Sequence, residues 1–271
     1  MPELPEVETT RRGIAPWLEG RGVRALVVRE RRLRWRIPTG IEARFAGTRV
    51  LAVGRRAKYL LLTLETGTAL LHLGMSGSLR VTIPAEPAGT HDHFDLVTTE
   101  GKCIRFNDPR RFGSLVWAGA EPMRHSLLAN LGPEPLESGF DGDHLWQVAR
   151  GRRVAIKLFI MNAAVVVGVG NIYASEALHR AGINPRRAAG RISRIDMRKL
   201  AAAIRDVLED ALTMGGTTLR DFNFGEGELG YFGQRLRVYD RAGLPCLHCA
   251  TPVRHINQGQ RSTYFCPVCQ P

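Results

Sequence analysis

Apolar and charged residues interleave from Pro5 to Leu18, and the stretch predicts a helix. From Val23 to Trp117 the chain is rich in strand-like runs. Tyr59–Leu64 and Ala69–Leu73 are short, leucine-rich apolar runs, and Glu65-Thr66-Gly67-Thr68 between them reads as a hairpin connection. Further strands are predicted over Ser78–Thr82, Phe94–Thr98, Cys103–Phe106 and Ser114–Trp117. Short strands at this spacing point to a sandwich or a barrel. Between 121 and 140 the pattern breaks, and Pro122, Gly132, Pro133, Pro135 and Gly139 mark a boundary or hinge. Beyond it the period becomes helical. Leu200, Ile204, Val207, Leu208 and Ala211 share one face, with Ser193 as cap and Gly215-Gly216 as stop.

Three further segments carry a signal. Gly168 and Gly170 precede Asn171, which predicts a helix from Asn171 to about Ala181. Backbone amides at such a start can hold a phosphate; a plain helix–turn–helix packing contact explains the same residues. Residues 217–234 alternate glycines with Phe222, Phe224, Tyr231 and Phe232, a long loop suited to closing over a flat ligand such as an extruded base. Residues 252–256 and 262–265 read as a hairpin with its turn at 257–260.

Length and charge narrow the classes. The 271 residues allow one large or two ordinary domains with a real core. The formal net charge is +12, and arginines cluster at 29, 31, 32, 34 and 36 and again at 186, 187, 191, 194 and 198. The excess favours a polyanionic partner, although any one cluster also fits a solvated basic surface. The chain has no apolar run of about 18 residues and no basic-then-apolar leader, so no membrane span and a cytoplasmic location are expected. Monomer is expected, since no heptad pattern is present.

Four of the five cysteines are Cys246-x2-Cys249 and, after sixteen residues, Cys266-x2-Cys269. Paired thiolates at this spacing suit one tetrahedral zinc in a zinc ribbon, a closed and therefore structural site. Disulfides are the alternative, disfavoured without a secretion signal. Cys103 is left over in a strand, where a buried, reduced thiol is expected.

The N-terminus offers chemistry. Removal of Met1 would leave Pro2 as a free secondary amine, beside the carboxylates of Glu3 and Glu6. Such an amine can form an iminium with an aldehyde-like carbon, the layout of covalent catalysis. The positive end of the following helix would disfavour a charge on that amine. Pro and Glu are also ordinary first-turn residues, and a tautomerase-like Pro base would explain the N-terminus alone.

In order along the chain stand Pro2-Glu3-Leu4-Pro5-Glu6-Val7-Glu8, Lys58-Tyr59, His72-Leu73-Gly74-Met75-Ser76-Gly77, His91-Asp92-His93, Asn107-Asp108-Pro109-Arg110-Arg111-Phe112-Gly113, Gly168-Val169-Gly170-Asn171-Ile172-Tyr173-Ala174 and the cysteine set with Gln260-Arg261. With these motifs the chain resembles, from end to end, bacterial formamidopyrimidine-DNA glycosylase. The resemblance implies an α+β fold: an N-terminal β-sandwich with an opening helix (1–131), a helix–two-turn–helix domain with a lesion-capping loop (132–236), and a C-terminal zinc ribbon (237–271). Damaged double-stranded DNA would lie in a basic cleft between the two domains. The resemblance also implies that Pro2 is the nucleophile, Glu3 the acid–base group, Glu6 a supporting residue and Lys58 a cation beside the lesion phosphate. His91, Asn171 and Arg261 would grip phosphates. Met75, Arg110 and Phe112 would fill the space left by the extruded base, with Arg110 on the widowed cytosine. Where the family often carries Lys-Pro before Gly-Tyr-Phe, this chain has Glu228-Leu229. Two rivals stand beside this reading. Endonuclease VIII, for oxidised pyrimidines, usually has Gly where Leu4 stands here. A non-catalytic zinc-ribbon protein would explain charge and cysteines but not the N-terminal amine.

Overall fold

The computed structural model describes residues 2–216 and 232–271. The described residues divide into two compact units, one of residues 2–129 and the other of residues 130–216 and 232–271.

The first unit opens on α1 (Leu4–Leu18). Pro5 falls in the first turn, where a missing N–H breaks no helical bond. Glu3 is the N-cap and forms a reciprocal capping box with Glu6, whose Oε2 accepts the Glu3 N–H at 2.9 Å. Then come β1 (Val23–Val28), the short α2 (Ile41–Phe45), β2 (Val50–Arg56), β3 (Tyr59–Leu64), β4 (Gly67–His72), β5 (Ser78–Thr82), β6 (Asp92–Thr98), β7 (Cys103–Asn107) and β8 (Ser114–Gly119). The strands form two four-stranded antiparallel sheets, ordered β1-β6-β7-β5 and β2-β3-β4-β8. Leu26, Leu96 and Phe106 from one sheet and Val53, Leu62 and Leu115 from the other share one buried core with Val7, Ile14 and Leu18 of α1. The strands therefore make a sandwich, which decides between the two architectures the spacing allowed.

Beside that core runs a buried ionic network. Arg105, almost fully buried, donates twice to Asp95 at 2.9 Å, Arg29 shares Asp95, and Arg80 grips Asp92. Such charges persist inside a protein only when paired and hydrogen-bonded. Cys103 is buried and reduced as expected, and burial pushes its thiol up to about 12.

The second unit contains α3 (Gly142–Ala149), α4 (Ile156–Ile160), α5 (Asn171–Arg180), α6 (Arg194–Thr213) and the hairpin β9 (Arg254–Gln258) and β10 (Arg261–Phe265). Helix α6 follows its sequence signals. The Ser193 hydroxyl accepts the Asp196 N–H at 3.0 Å, the five apolar-face residues are buried, and Gly215 and Gly216 take positive φ just past its end. Helix α5 begins at Asn171, also as expected. The first hairpin strand is displaced two residues toward the turn from the expected 252–256, and the second starts one residue earlier than the expected 262. Gln258 pairs with Arg261, so only Gly259 and Gln260 remain to turn, at φ +50° and +61°. A two-residue turn of this kind keeps the strands paired up to its edge. Among the described residues no helix is long and apolar enough to cross a membrane. The segment read as a closing loop, 217–234, lies through residue 231 outside the described residues.

Candidate active site and metal centre

Pro2 is half-buried and immediately precedes the N-cap of α1. Glu3 is only 2% exposed. The positive helix end and the capping box thus meet at the two residues whose chemistry the sequence singled out. The third acid of the motif differs. Burial alone would raise the Glu8 carboxyl, but Arg11, Arg12 and Arg55 outweigh it and hold the group below its ordinary range. Its 3.3 Å contact with Arg55 anchors α1 to β2.

Lys58 lies in the two-residue turn between β2 and β3, where Arg56 pairs with Tyr59. It stands near enough to His72 for its charge to matter. Burial first, then Lys58 and Arg34, push the His72 imidazole down to about 4. His72 Nδ1 accepts the Gly74 N–H at 2.9 Å, so the neutral ring carries its proton on Nε2. The Tyr59 ring packs against it at 4.8 Å. His72 appears in a motif, yet no spacing marks it out, because its role depends on a neighbour fourteen residues away.

Met75 sits in the loop after β4, and Arg110 and Phe112 in the loop between β7 and β8; all three are exposed. The Arg110 guanidinium lies 5.0 Å from the Phe112 ring centre. The loops touch through backbone. Gly74 has φ +70°, and a Cβ there would come within 2.3 Å of the Phe112 carbonyl carbon. Only glycine satisfies both demands. His91 is exposed, and its carbonyl accepts the Asp108 N–H at 3.0 Å.

In the second unit Asn171 occupies the first turn of α5, and its amide nitrogen reaches the Tyr239 hydroxyl at 3.4 Å. Tyr239 packs edge-on against Tyr264 of β10 at 5.0 Å. Glu176, buried on α5, accepts the N–H groups of Arg237, Val238 and Tyr239 at 2.8 to 3.0 Å. Arg261 is exposed at the start of β10. Next to it the fully buried Lys157 donates to the Ser262 carbonyl at 2.8 Å and the Thr263 hydroxyl at 2.9 Å. Asn171 and Arg261 thus belong to one braced structure. Glu176 and Lys157 were not found from sequence, since these partners of each lie 61 or more positions away and no local spacing marks them.

The sulfurs of Cys246, Cys249, Cys266 and Cys269 all lie within 4.8 Å of one another, and the cysteines are not disulfide-bonded. Cys249 and Cys266 are 3.4 Å apart, Cys246 and Cys269 3.9 Å. Four thiolates around a tetrahedral zinc stand about 3.8 Å apart, so the set fits the ion the spacing predicts. The N–H groups of His248 and Cys269 point at ligand sulfurs at 3.5 and 3.4 Å, and His179 Nε2 lies 3.6 Å from Cys246. His248 contributes through its backbone N–H.

Half of the arginines in the two runs are paired with acids. Arg29 pairs with Asp95, Arg31 with Glu42 and Arg32 with Glu30. Arg194 and Arg198 both grip Asp143, whose carboxyl they hold far below its usual range. Asp143 was silent in sequence because its partners lie 51 and 55 residues on, on α6.

The family models that match are the formamidopyrimidine-DNA glycosylase N-terminal domain over residues 1–115, its H2TH domain over 131–223, and a zinc finger found in FPG and IleRS over 243–271. The chain is 56% identical to the formamidopyrimidine-DNA glycosylase of Alkalilimnicola ehrlichii and 58% identical to that of Thioalkalivibrio sulfidiphilus, each match covering 100% of both chains. The MutM (Fpg) crystal structure from Thermus thermophilus is 40% identical with a TM-score of 0.88, covering 99% of this chain and 98% of that one. A mutant Lactococcus lactis Fpg in complex with DNA containing Fapy-dG is 29% identical with a TM-score of 0.92, covering 99% of each. The four cysteines are the ligand set of a structural zinc, and the chain belongs to the formamidopyrimidine-DNA glycosylase family.

Proposed function

We propose that this chain is a bifunctional DNA glycosylase and AP lyase that excises oxidised purines, 8-oxoguanine and formamidopyrimidines, from duplex DNA. The observation that carries this is the Pro2-Glu3 pair at the capped start of α1, with Glu3 buried, in a chain that matches its family along its whole length. The Pro2 nitrogen attacks C1′ of the damaged nucleotide as the bond from C1′ to the base breaks. Glu3 delivers a proton to the sugar ring oxygen, the ring opens, and an iminium links Pro2 to C1′. The iminium acidifies C2′. Loss of a C2′ proton expels the 3′ phosphate, and a second elimination expels the 5′ phosphate.

The remaining assignments belong to the same proposal. Glu6 supports through the cap it gives Glu3. Lys58 supplies positive charge beside the lesion phosphate. His91, Asn171 and Arg261 hold phosphates, and Met75, Arg110 and Phe112 fill the vacated space. The working parts divide as 1–131, 132–236 and 237–271, and the enzyme acts as a monomer on DNA in the bacterial cytoplasm. The zinc holds the ribbon and takes no part in the chemistry.

Borohydride trapping tests the core of this reading. With a duplex carrying 8-oxoguanine opposite cytosine, reduction yields a covalent adduct that mass spectrometry maps to Pro2. The Glu3→Gln variant binds the same duplex without excising the base. An intact N-terminal Pro2 that binds but never cross-links would turn the assignment toward a binding protein. A cross-link formed only with thymine glycol would turn it toward the pyrimidine enzyme.

A further inference from the structure

Among the described residues Asp108 is the most completely buried acid of the first unit, with 0% exposure; it opens the loop that carries Arg110 and Phe112 and reaches across to the loop that carries Met75. Its Oδ1 accepts the Ser76 hydroxyl at 2.5 Å, and its Oδ2 accepts the Gly113 N–H at 2.7 Å. The Ser76 oxygen in turn accepts the Arg110 N–H at 3.2 Å. The Asp108 carbonyl accepts the Arg111 N–H at 3.2 Å and lies 2.7 Å from Nε2 of the buried His93. One side chain therefore bonds the residue after Met75 and the residue after Phe112, and through Ser76 it reaches Arg110. A buried carboxylate is costly unless its oxygens are hydrogen-bonded, so these contacts are mutually enforcing.

From this we infer that Asp108 and Ser76 are positioning residues that lock Met75, Arg110 and Phe112 into a single rigid wedge, an inference that rests on the function proposed above. Neither residue touches substrate in this assignment. The physical need is clear. Taking a base out of the stack costs free energy that fillers and phosphate contacts must supply. A wedge on two independent loops would lose conformational freedom as it entered the duplex. A wedge ordered beforehand avoids that loss. The tie should matter most where extrusion costs most, and least where no base remains to be extruded.

Ser76→Ala isolates the tie, because it removes one hydroxyl and leaves the Gly113 contact to hold Asp108. Single-turnover rates are measured on a duplex with 8-oxoguanine opposite cytosine and on the same duplex with a preformed abasic site. Ser76→Ala should slow excision about tenfold, the scale of one hydrogen bond to a charged acceptor, yet alter abasic cleavage by no more than about twofold. Ser76→Thr, which restores the hydroxyl, should recover the excision rate. A 2-aminopurine beside the lesion should show a slower fluorescence rise with Ser76→Ala, since it reports insertion before any bond breaks. Equal losses on both duplexes with a lowered melting temperature would mark Ser76 as merely structural and overturn the inference. So would an unchanged excision rate. A wild-type protein that fails to excise 8-oxoguanine at all would instead sink the proposed function, and the wedge with it.

Discussion

Three glutamates within the first eight residues have three different fates, and the environment of each explains the difference. Glu8 is held by arginines, Glu6 caps the helix, and Glu3 is buried next to the candidate nucleophile. His72 shows the same logic with a measurable consequence. Its folded-state value is about 4, against 6.5 when unperturbed. Above the unfolded value both states are neutral and the group is silent. As pH falls from there toward the folded value, only the unfolded chain takes up the proton, and stability is lost across that window. A His72→Gln variant keeps an acceptor for the Gly74 N–H but cannot titrate. Denaturant unfolding of both proteins near pH 7.5 and about pH 5.5 should show wild type losing on the order of 1 kcal/mol more than the variant on acidification. Equal losses would mean that His72 takes its proton in the folded protein as readily as in water.

At the level of elements, what the sequence reveals depends on the range of the signal. Helix α1 was legible from its unbroken interleaving of apolar and charged residues, and α6 because cap, apolar period and stop follow one another without a gap. Strand β5 was read to its observed bounds, and the zinc set stood out by spacing alone. The ties that brace the site were not legible. Asp108 to Ser76, Lys157 to Thr263 and Glu176 to the 237–239 backbone span 32 to 106 positions with no period to betray them. The choice of sandwich over barrel was hidden for the same reason, since it depends on which distant strands pair. The α1 cap can be separated from charge. Glu6→Gln preserves a side-chain acceptor for the Glu3 N–H, whereas Glu6→Ala removes it. Glu6→Ala should lower stability by about 1–2 kcal/mol, as loss of a buried cap does, and reduce excision with it. Glu6→Gln should stay near wild type in both. If Gln proves as damaging as Ala, the negative charge of Glu6 rather than its capping is what the site requires.

Across the whole molecule, the charge excess is a poor guide to where DNA is held. The net charge is +12, but half of the arginines in the conspicuous runs are spent on Asp95, Glu42, Glu30 and Asp143. Arg261 is an exposed cation outside either run, and it sits on a hairpin braced from two sides. Lys157 bonds the two residues that follow it, and Cys266, a zinc ligand, comes directly after β10. A fixed cation suits a phosphate contact better than one in a dense cluster that already has acidic partners. Neutralising one phosphate changes the slope of log affinity against log salt by about one unit on duplex DNA. Arg261→Ala should therefore weaken binding to lesion-bearing and undamaged duplexes alike and flatten that slope by about one unit. Arg194→Ala, which removes an arginine already paired with Asp143, should leave the slope unchanged even though it removes the same formal charge. Stripping the zinc with a chelator should reproduce the Arg261→Ala slope, because the hairpin then loses one of its two anchors. Equal slopes for Arg194→Ala and Arg261→Ala would show that overall charge governs binding, and that the bracing of this hairpin has no bearing on how DNA is held.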